Sequence, residues 1–201
     1  MITMKNKKII FVCGERKRES VMAISAIMDP SLRVSKTKGL PRFWQAFSLF
    51  FSDVVIVEDN IENSPKKVRS FIKKQRSPML VLTGTGGRLR KENILLKFSR
   101  NGSIVMDYSL SRKIRKRKVK KMLTFGNRKS ADIHVTDINR GEDTNFKVSH
   151  KGGFTPFWTK GKLKNREIYA VICALAVGVF LSFNLVEMSS RVKQSRIFTE
   201  N

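Results

Sequence analysis

Over the first half of the chain, apolar residues fall in short continuous runs and do not alternate with polar ones. Ile9–Cys13, Val54–Val57 and Met79–Thr83 are rich in Val, Ile or Leu and bounded by polar residues. Such runs predict strands buried on both faces, as in a parallel sheet. Helix-compatible stretches separate them. A glycine turn after the first run leads into a helix over Val21–Met28, and Arg42–Phe51 is aromatic and apolar. Ser64-Pro65 reads as an N-cap with proline at N1, opening a helix that runs to Gln75. Pro78 restarts the chain in extended form. Beyond the third run come a loop at Thr83-Gly-Thr-Gly-Gly87, a short helix over Leu89–Phe98, a turn at Asn101-Gly102 and a strand over Ser103–Asp107.

The second half changes character. Met122–Phe125, Ala131–Ile138 and Asn145–Ser149 are β-like, punctuated by Gly126, Asn139–Asp143 and Gly152-Gly153, and predict an antiparallel sheet or hairpin. Asn165–Phe183 is helical in pattern, and a second short helix is expected over Leu185–Lys193. The fold class expected is α/β: a mostly parallel, P-loop-type sheet flanked by helices, with a small antiparallel β-region appended. Residues 1–195 are expected to form one domain. Its parts are a core (7–110), a hairpin region (120–160) and C-terminal helices (165–195), followed by a tail (196–201).

Charge adds a constraint on partners. The chain of 201 residues has 41 Lys and Arg against 16 Asp and Glu, a formal net charge of +25, which attracts polyanions: nucleic acid, acidic lipid, or phosphorylated and nucleotide-bearing ligands. Eight basic residues crowd the ten from Arg112 to Lys121, a block that repels itself and belongs on the surface. Cys13 and Cys173 both sit in apolar runs and are expected as buried thiols. His134 and His150 have no ligand-like spacing, which argues against zinc. The N-terminus is too short and polar for a signal peptide, and a cytoplasmic location is expected. Ile168–Val186 is a 19-residue stretch without a charge, long enough to raise a membrane span. A buried helix turning into a second near Ser182–Asn184 explains the same residues.

The candidate chemistry begins at Lys7–Ser20, which reads as strand, glycine turn and helix. That is the layout in which backbone N–H groups and a helix N-terminus hold nucleotide phosphates. Gly14 is the only glycine there, and no Gly-Lys-Ser/Thr follows. The glycine cluster after Thr83 lies at a strand's C-terminal end, where ligands bind in open α/β sheets, although a plain turn has the same composition.

The order of these pieces resembles the central ATPase domain of the Mur ligases, ATP-dependent amide ligases of cell-wall precursor synthesis. Four stretches carry the likeness. Ile9–Met28 is similar to the family's strand, G-[ST]-x-G-K-[ST] loop and helix. Ser52-Asp-Val-Val-Ile-Val-Glu-Asp-Asn-Ile61 is similar to its strand ending in a metal-binding glutamate. Ser77–Gly86 is similar to its Pro…Thr-Asn-Ile-Gly segment. The longest runs from Leu123 through Pro156-Phe-Trp and Asn165–Gly178 to Ser189, like the family's hairpin region and Ala-rich helix. It most resembles the branch that adds D-alanyl-D-alanine to the UDP-N-acetylmuramoyl-tripeptide.

The resemblance implies ATP and Mg²⁺ as cofactors and an acyl-phosphate route to an amide. Gly14 matches the loop's first glycine, and Lys17 or Arg18 falls near its lysine. The second glycine and the Ser/Thr that would bind metal are absent. Glu58 matches the metal-binding glutamate and Thr83 the start of the third motif. Lys91 corresponds to the family's carbamylated lysine, and Asp107-Tyr-Ser109 stands where the family has Asn-Ala-Asp-Asp. The family also carries an N-terminal domain for the UDP-sugar and a C-terminal domain for the incoming amino acid, and neither fits the remaining residues. The expectation is a degenerate central-domain protein with weak or lost ATP binding and no complete ligase cycle alone. Its ligands would be a nucleotide or a UDP-linked phosphorylated molecule, and its partner a chain supplying the missing domains. Two other readings stand beside it: a basic protein anchored through Ile168–Val186, and a non-specific nucleic-acid binder using the basic run.

Overall fold

The apolar runs become neighbouring strands of one sheet in the computed structural model. It describes residues 8–28, 30–38, 52–58, 78–84, 102–111, 121–195 and 197–198. The helices expected at Arg42–Phe51, from Ser64 to Gln75 and at Leu89–Phe98 lie outside the described residues, as does the basic run up to Lys120. Strands β1 (Lys8–Gly14), β2 (Val34–Lys38), β3 (Val54–Glu58), β4 (Met79–Thr83), β5 (Ser103–Asp107) and β6 (Met122–Gly126) run parallel, and β7 (Ile133–Arg140) follows in the same sense. β8 (Thr144–His150) and β9 (Gly153–Thr159) add an antiparallel meander. The spatial order is β2-β3-β1-β4-β5-β6-β7-β8-β9.

Both faces of the central strands are buried, as continuous apolar runs require. Ile10, Val12, Ile56, Val81 and Val105 join one large core cluster. Their neighbours Ile9, Phe11, Val57, Leu80 and Ile104 point the other way and are equally buried. The clustered face is covered by α1 (Lys17–Ile27), α3 (Asn165–Phe180) and α4 (Leu185–Gln194); the one-turn α2 (Tyr108–Ser111) follows β5. α1 buries Ser20, Val21, Ala23, Ile24 and Ile27, a helical stripe. α3 is buried from Ile168 to Gly178 without a break, because α1 lies on one side of it and β5, β6 and β7 on another.

Three differences from the sequence reading have physical causes. Met122–Gly126 is a parallel strand between β5 and β7, not part of the antiparallel region. Only Phe125 and Gly126 pair with Ile133 and His134, so β7 begins where β6 ends and a short connection suffices. β2 was not foreseen because Val34-Ser-Lys-Thr-Lys38 is a polar strand at the sheet's end with only Thr37 buried. β9 was hidden by Pro156, which is tolerated because β9 is the last strand of the order. Ser189 Oγ on α4 donates to the Pro156 carbonyl at 2.7 Å, so a helix covers this rim.

The membrane reading is corrected by the end of α3. The uncharged run breaks there: Ser182 adopts φ +70, Phe183 N–H donates to Gly178 O at 2.9 Å, and Ser182 N–H donates to Val179 O at 3.0 Å. This is a Schellman stop with serine in the left-handed position. Asn184 then caps α4, its side-chain oxygen accepting from Val186 N–H at 2.8 Å. Among the described residues no helix is long and apolar enough to cross a membrane. Cys13 and Cys173 are buried thiols outside any disulfide, as expected.

A serine at φ +70 carries a Cβ penalty that glycine lacks. Ser182→Gly should therefore raise the unfolding free energy by about 0.5–1 kcal/mol. Urea denaturation followed by circular dichroism measures it, and an unchanged or lower midpoint would contradict the role assigned to the turn.

Candidate functional site

The strand–turn–helix at the N-terminus forms as its sequence suggests, and the turn closes on a neighbouring strand. Gly14 is the last residue of β1, pairs with Thr83 at the end of β4, and has φ +118. A Cβ on Gly14 would lie 1.8 Å from the Thr83 carbonyl oxygen. Only glycine permits both the dihedral and the approach. Two hydrogen bonds clamp the crossing. Thr83 Oγ1 donates to Cys13 O at 3.1 Å, and Glu15 N–H donates to Thr83 O at 3.1 Å.

Helix α1 starts at Lys17, earlier than the expected Val21, and its N-cap residue Arg16 makes no side-chain cap. Lys17 is half-buried and Arg18 exposed. Glu19, in the first turn, reaches Arg166 of α3 at 4.0 Å. Arg16, Lys17 and Arg18 thus crowd cations at the helix end that already carries positive partial charge, which costs roughly 0.3–1 kcal/mol for each exposed group.

A residue from the far end of the chain completes this edge. Tyr169, in the first turns of α3, accepts a hydrogen bond from Gly84 N–H at 2.7 Å. The Arg16 guanidinium lies 4.3 Å from the centre of the Tyr169 ring, a cation–π contact. The Phe125 ring meets the same tyrosine edge-on at 5.3 Å. Burial pushes the Tyr169 hydroxyl far above the ordinary phenol range; the neighbouring Cys173 and Asp107 add to the rise, and the Gly84 N–H opposes it. The Asp107 carboxylate, near this hydroxyl, accepts from Ser109 N–H at 2.7 Å through Oδ1. Gly84, Tyr169 and Asp107 therefore meet where β4, α3 and β5 come together. One turn along α3, burial pushes the Cys173 thiol up to about 12. Ser20 Oγ faces that thiol at a geometry short of a regular hydrogen bond and draws it back.

Of the residues expected at a nucleotide site, Gly14 and Thr83 come together, and Lys17 and Arg18 follow at the start of α1. Glu58 ends β3 half-buried, in register with Val12 of β1 and Lys38 of β2, on the same carboxyl edge. Among the described residues no three His, Cys, Asp or Glu side chains converge on a metal-sized site. Lys91 lies outside the described residues. Tyr169, Arg16 and Gly84 were not foreseen as partners. Their one signal is compositional: Tyr169 is one of two tyrosines in the chain and the only phenol in a mostly aliphatic helix.

Gly14→Ala drives a methyl group into backbone that cannot withdraw, and should lower stability by more than about 3 kcal/mol or prevent folding. A melting temperature within a few degrees of the parent would contradict the close approach. The pH dependence follows from Cys173. The unfolded thiol ionises near its ordinary value of 9.0, while the folded one stays protonated up to about 12. The unfolded chain thus binds fewer protons in that window, so this contribution to stability falls as pH rises from 9 toward 12. Cys173→Ala should flatten part of that fall in urea midpoints, and an identical slope would contradict the burial of the thiol.

Comparison with solved structures places this architecture. The chain superposes on MurF ligase from Thermotoga maritima, determined in complex with ADP, with a TM-score of 0.68 at 14% identity, over 92% of this chain and 48% of that one. For a pseudomurein peptide ligase type C from Methanothermus fervidus the TM-score is 0.70 at 10% identity, covering 98% and 50%. Folylpolyglutamate synthase from Thermotoga maritima gives 0.62 at 11%, covering 96% and 59%. The chain spans about half the length of the two peptide ligases. No protein-family model and no curated protein matches it. The fold is that of the Mur ligases' central region: a mostly parallel sheet flanked by helices, with an antiparallel β7–β9 extension.

Proposed function

We infer that this chain is a Mur-ligase-like central domain whose nucleotide site is degenerate, with weak or lost ATP binding and no complete ligase activity alone. The observation that carries this reading is the use already made of the turn's own groups. A triphosphate gripped by backbone needs amide donors and open space along a glycine turn. Here the Glu15 N–H is taken by Thr83 O and the Gly84 N–H by Tyr169, and the space beside Gly14 is filled by a carbonyl. The Glu15 carboxylate also lies against Gly84, 3.4 Å from where a Cβ would stand, and would repel phosphate. These groups do not fit a bound triphosphate.

Residual anion affinity rests on Lys17 and Arg18 at the start of α1. Glu58 is the residue that would meet a metal ion on this edge, and Lys91 the counterpart of the family's modified lysine. The kinship to the D-alanyl-D-alanine-adding branch rests on the Leu123–Ser189 stretch. A cytoplasmic protein of this kind would work with a chain supplying substrate-binding domains, and its ligand would be a nucleotide or UDP-linked molecule.

Isothermal titration of the purified chain with Mg-ATP tests the reading. The expected dissociation constant is about 1 mM or weaker, equivalent to no more than ~4 kcal/mol of binding free energy. Low-micromolar affinity, or release of phosphate from ATP by the chain alone, would overturn it.

A further inference from the structure

The meander β7–β9 has two unlike faces. One is core: Phe146 and Phe157 stack at 5.6 Å, with Val135 and Val148 buried beside them. The opposite face carries Phe154, Pro156 and Trp158 of β9, in register with Ser149, Lys147 and Asn145 of β8. Phe154 is 64% exposed and Trp158 45%, unusual for rings of that size on a sheet. Four residues apart on one strand, their Cα atoms are separated by about 13 Å. The rings therefore do not cover each other. They are separate flat faces with a proline between them.

Charges of both signs surround the rings: Lys147, Lys151 and Lys160 stand among Asp137, Glu142 and Asp143, and the positive excess belongs to the chain as a whole. Lys147 lies level with Pro156 between the two rings, and its ion pair with Asp137, 3.0 Å long, is exposed on both sides. Exposed pairs of this kind are weak and readily exchanged for a phosphate. Lys151 flanks the Phe154 end, in a two-residue turn with Gly152 in which both residues have positive φ, the primed hairpin geometry that fixes the strands. Lys160 is exposed just beyond the Trp158 end. The whole chain has a net charge of +25.

We propose that the exposed face of β7–β9 binds single-stranded nucleic acid, with Phe154 and Trp158 as stacking platforms for unpaired bases and Lys147, Lys151 and Lys160 neutralising the backbone. Flat aromatic faces with lysines beside them, on a chain of net charge +25, suit a polyanion that also offers planar rings. An acidic protein surface would match the charge and leave both ring faces without planar partners. A duplex would match it with its bases already stacked. The proposal is independent of the nucleotide-site reading, because this face shares no residue with the Gly14 turn.

Fluorescence anisotropy of a short labelled oligouridylate, titrated with the full chain from about 50 mM salt upward, tests it. The parent should bind, with affinity falling as salt rises, and an unlabelled duplex of equal length should compete less well than the single strand. Phe154→Ala/Trp158→Ala should weaken binding by about tenfold or more with the salt slope retained, since each stacked base contributes substantially. Trp158→Phe should keep most of the affinity, which separates loss of stacking from loss of fold. Lys147→Ala should reduce the salt slope by about 0.7, the value for one phosphate contact on a single strand. No binding by the parent at low salt, equal binding by the double alanine variant, or equal competition by duplex would each overturn the proposal.

Discussion

At the carboxyl edge of the sheet, β1 and β4 approach so closely that the Gly14 Cα faces the Thr83 carbonyl with no room for a methyl group. The remaining features of the edge depend on that approach. It places Glu15 N–H on Thr83 O and turns Thr83 Oγ1 back onto Cys13, so the turn is satisfied from within the protein. It also sets where α1 begins and which residues occupy its positive end. A turn of this shape in an α/β sheet ordinarily leaves its donors for a ligand. Here the Glu15 N–H serves the fold instead.

Helix α3 is the second anchor. Its uninterrupted burial fixes Tyr169 against the sheet edge, and the tyrosine ties three elements that are distant in sequence: Gly84 after β4, Asp107 at the end of β5, and Arg16 before α1. Burying a phenol is favourable only when its hydroxyl finds partners. Gly84 N–H supplies one, which is why that amide is unavailable to anything else, while burial keeps the hydroxyl protonated. Architecture and site are thus one arrangement. The same helix that completes the core also closes the edge where a ligand would enter.

Much of the fold was legible because β1, β3, β4 and β5 are continuous apolar runs, a pattern few other elements produce. α3 and α4 were legible because a buried helix and its successor are separated by Ser182–Asn184, although the same uncharged stretch also suited a membrane span. β2 and β9 were not legible, since edge strands need neither an apolar run nor a full set of donors, and Pro156 argued against a strand. At the site, Gly14, Thr83 and Glu58 could be placed on one edge from their positions at strand ends. Tyr169 could not, because its partner Gly84 lies 85 residues away in sequence and no local pattern encodes that pairing. Phe154 and Trp158 read as strand or loop residues alike until the register with β8 assigned them to the open face.

The protein's own groups close the Gly14–Thr83–Gly84 edge. Hydrogen exchange at the Glu15 and Gly84 amides, followed by NMR with and without saturating Mg-ATP, reads that closure. Both amides should already be protected in the free protein, at rates set by opening of the fold, and nucleotide should leave them unchanged. Fast exchange in the free protein that slows on adding Mg-ATP would show donors held ready for phosphate, and would contradict the account.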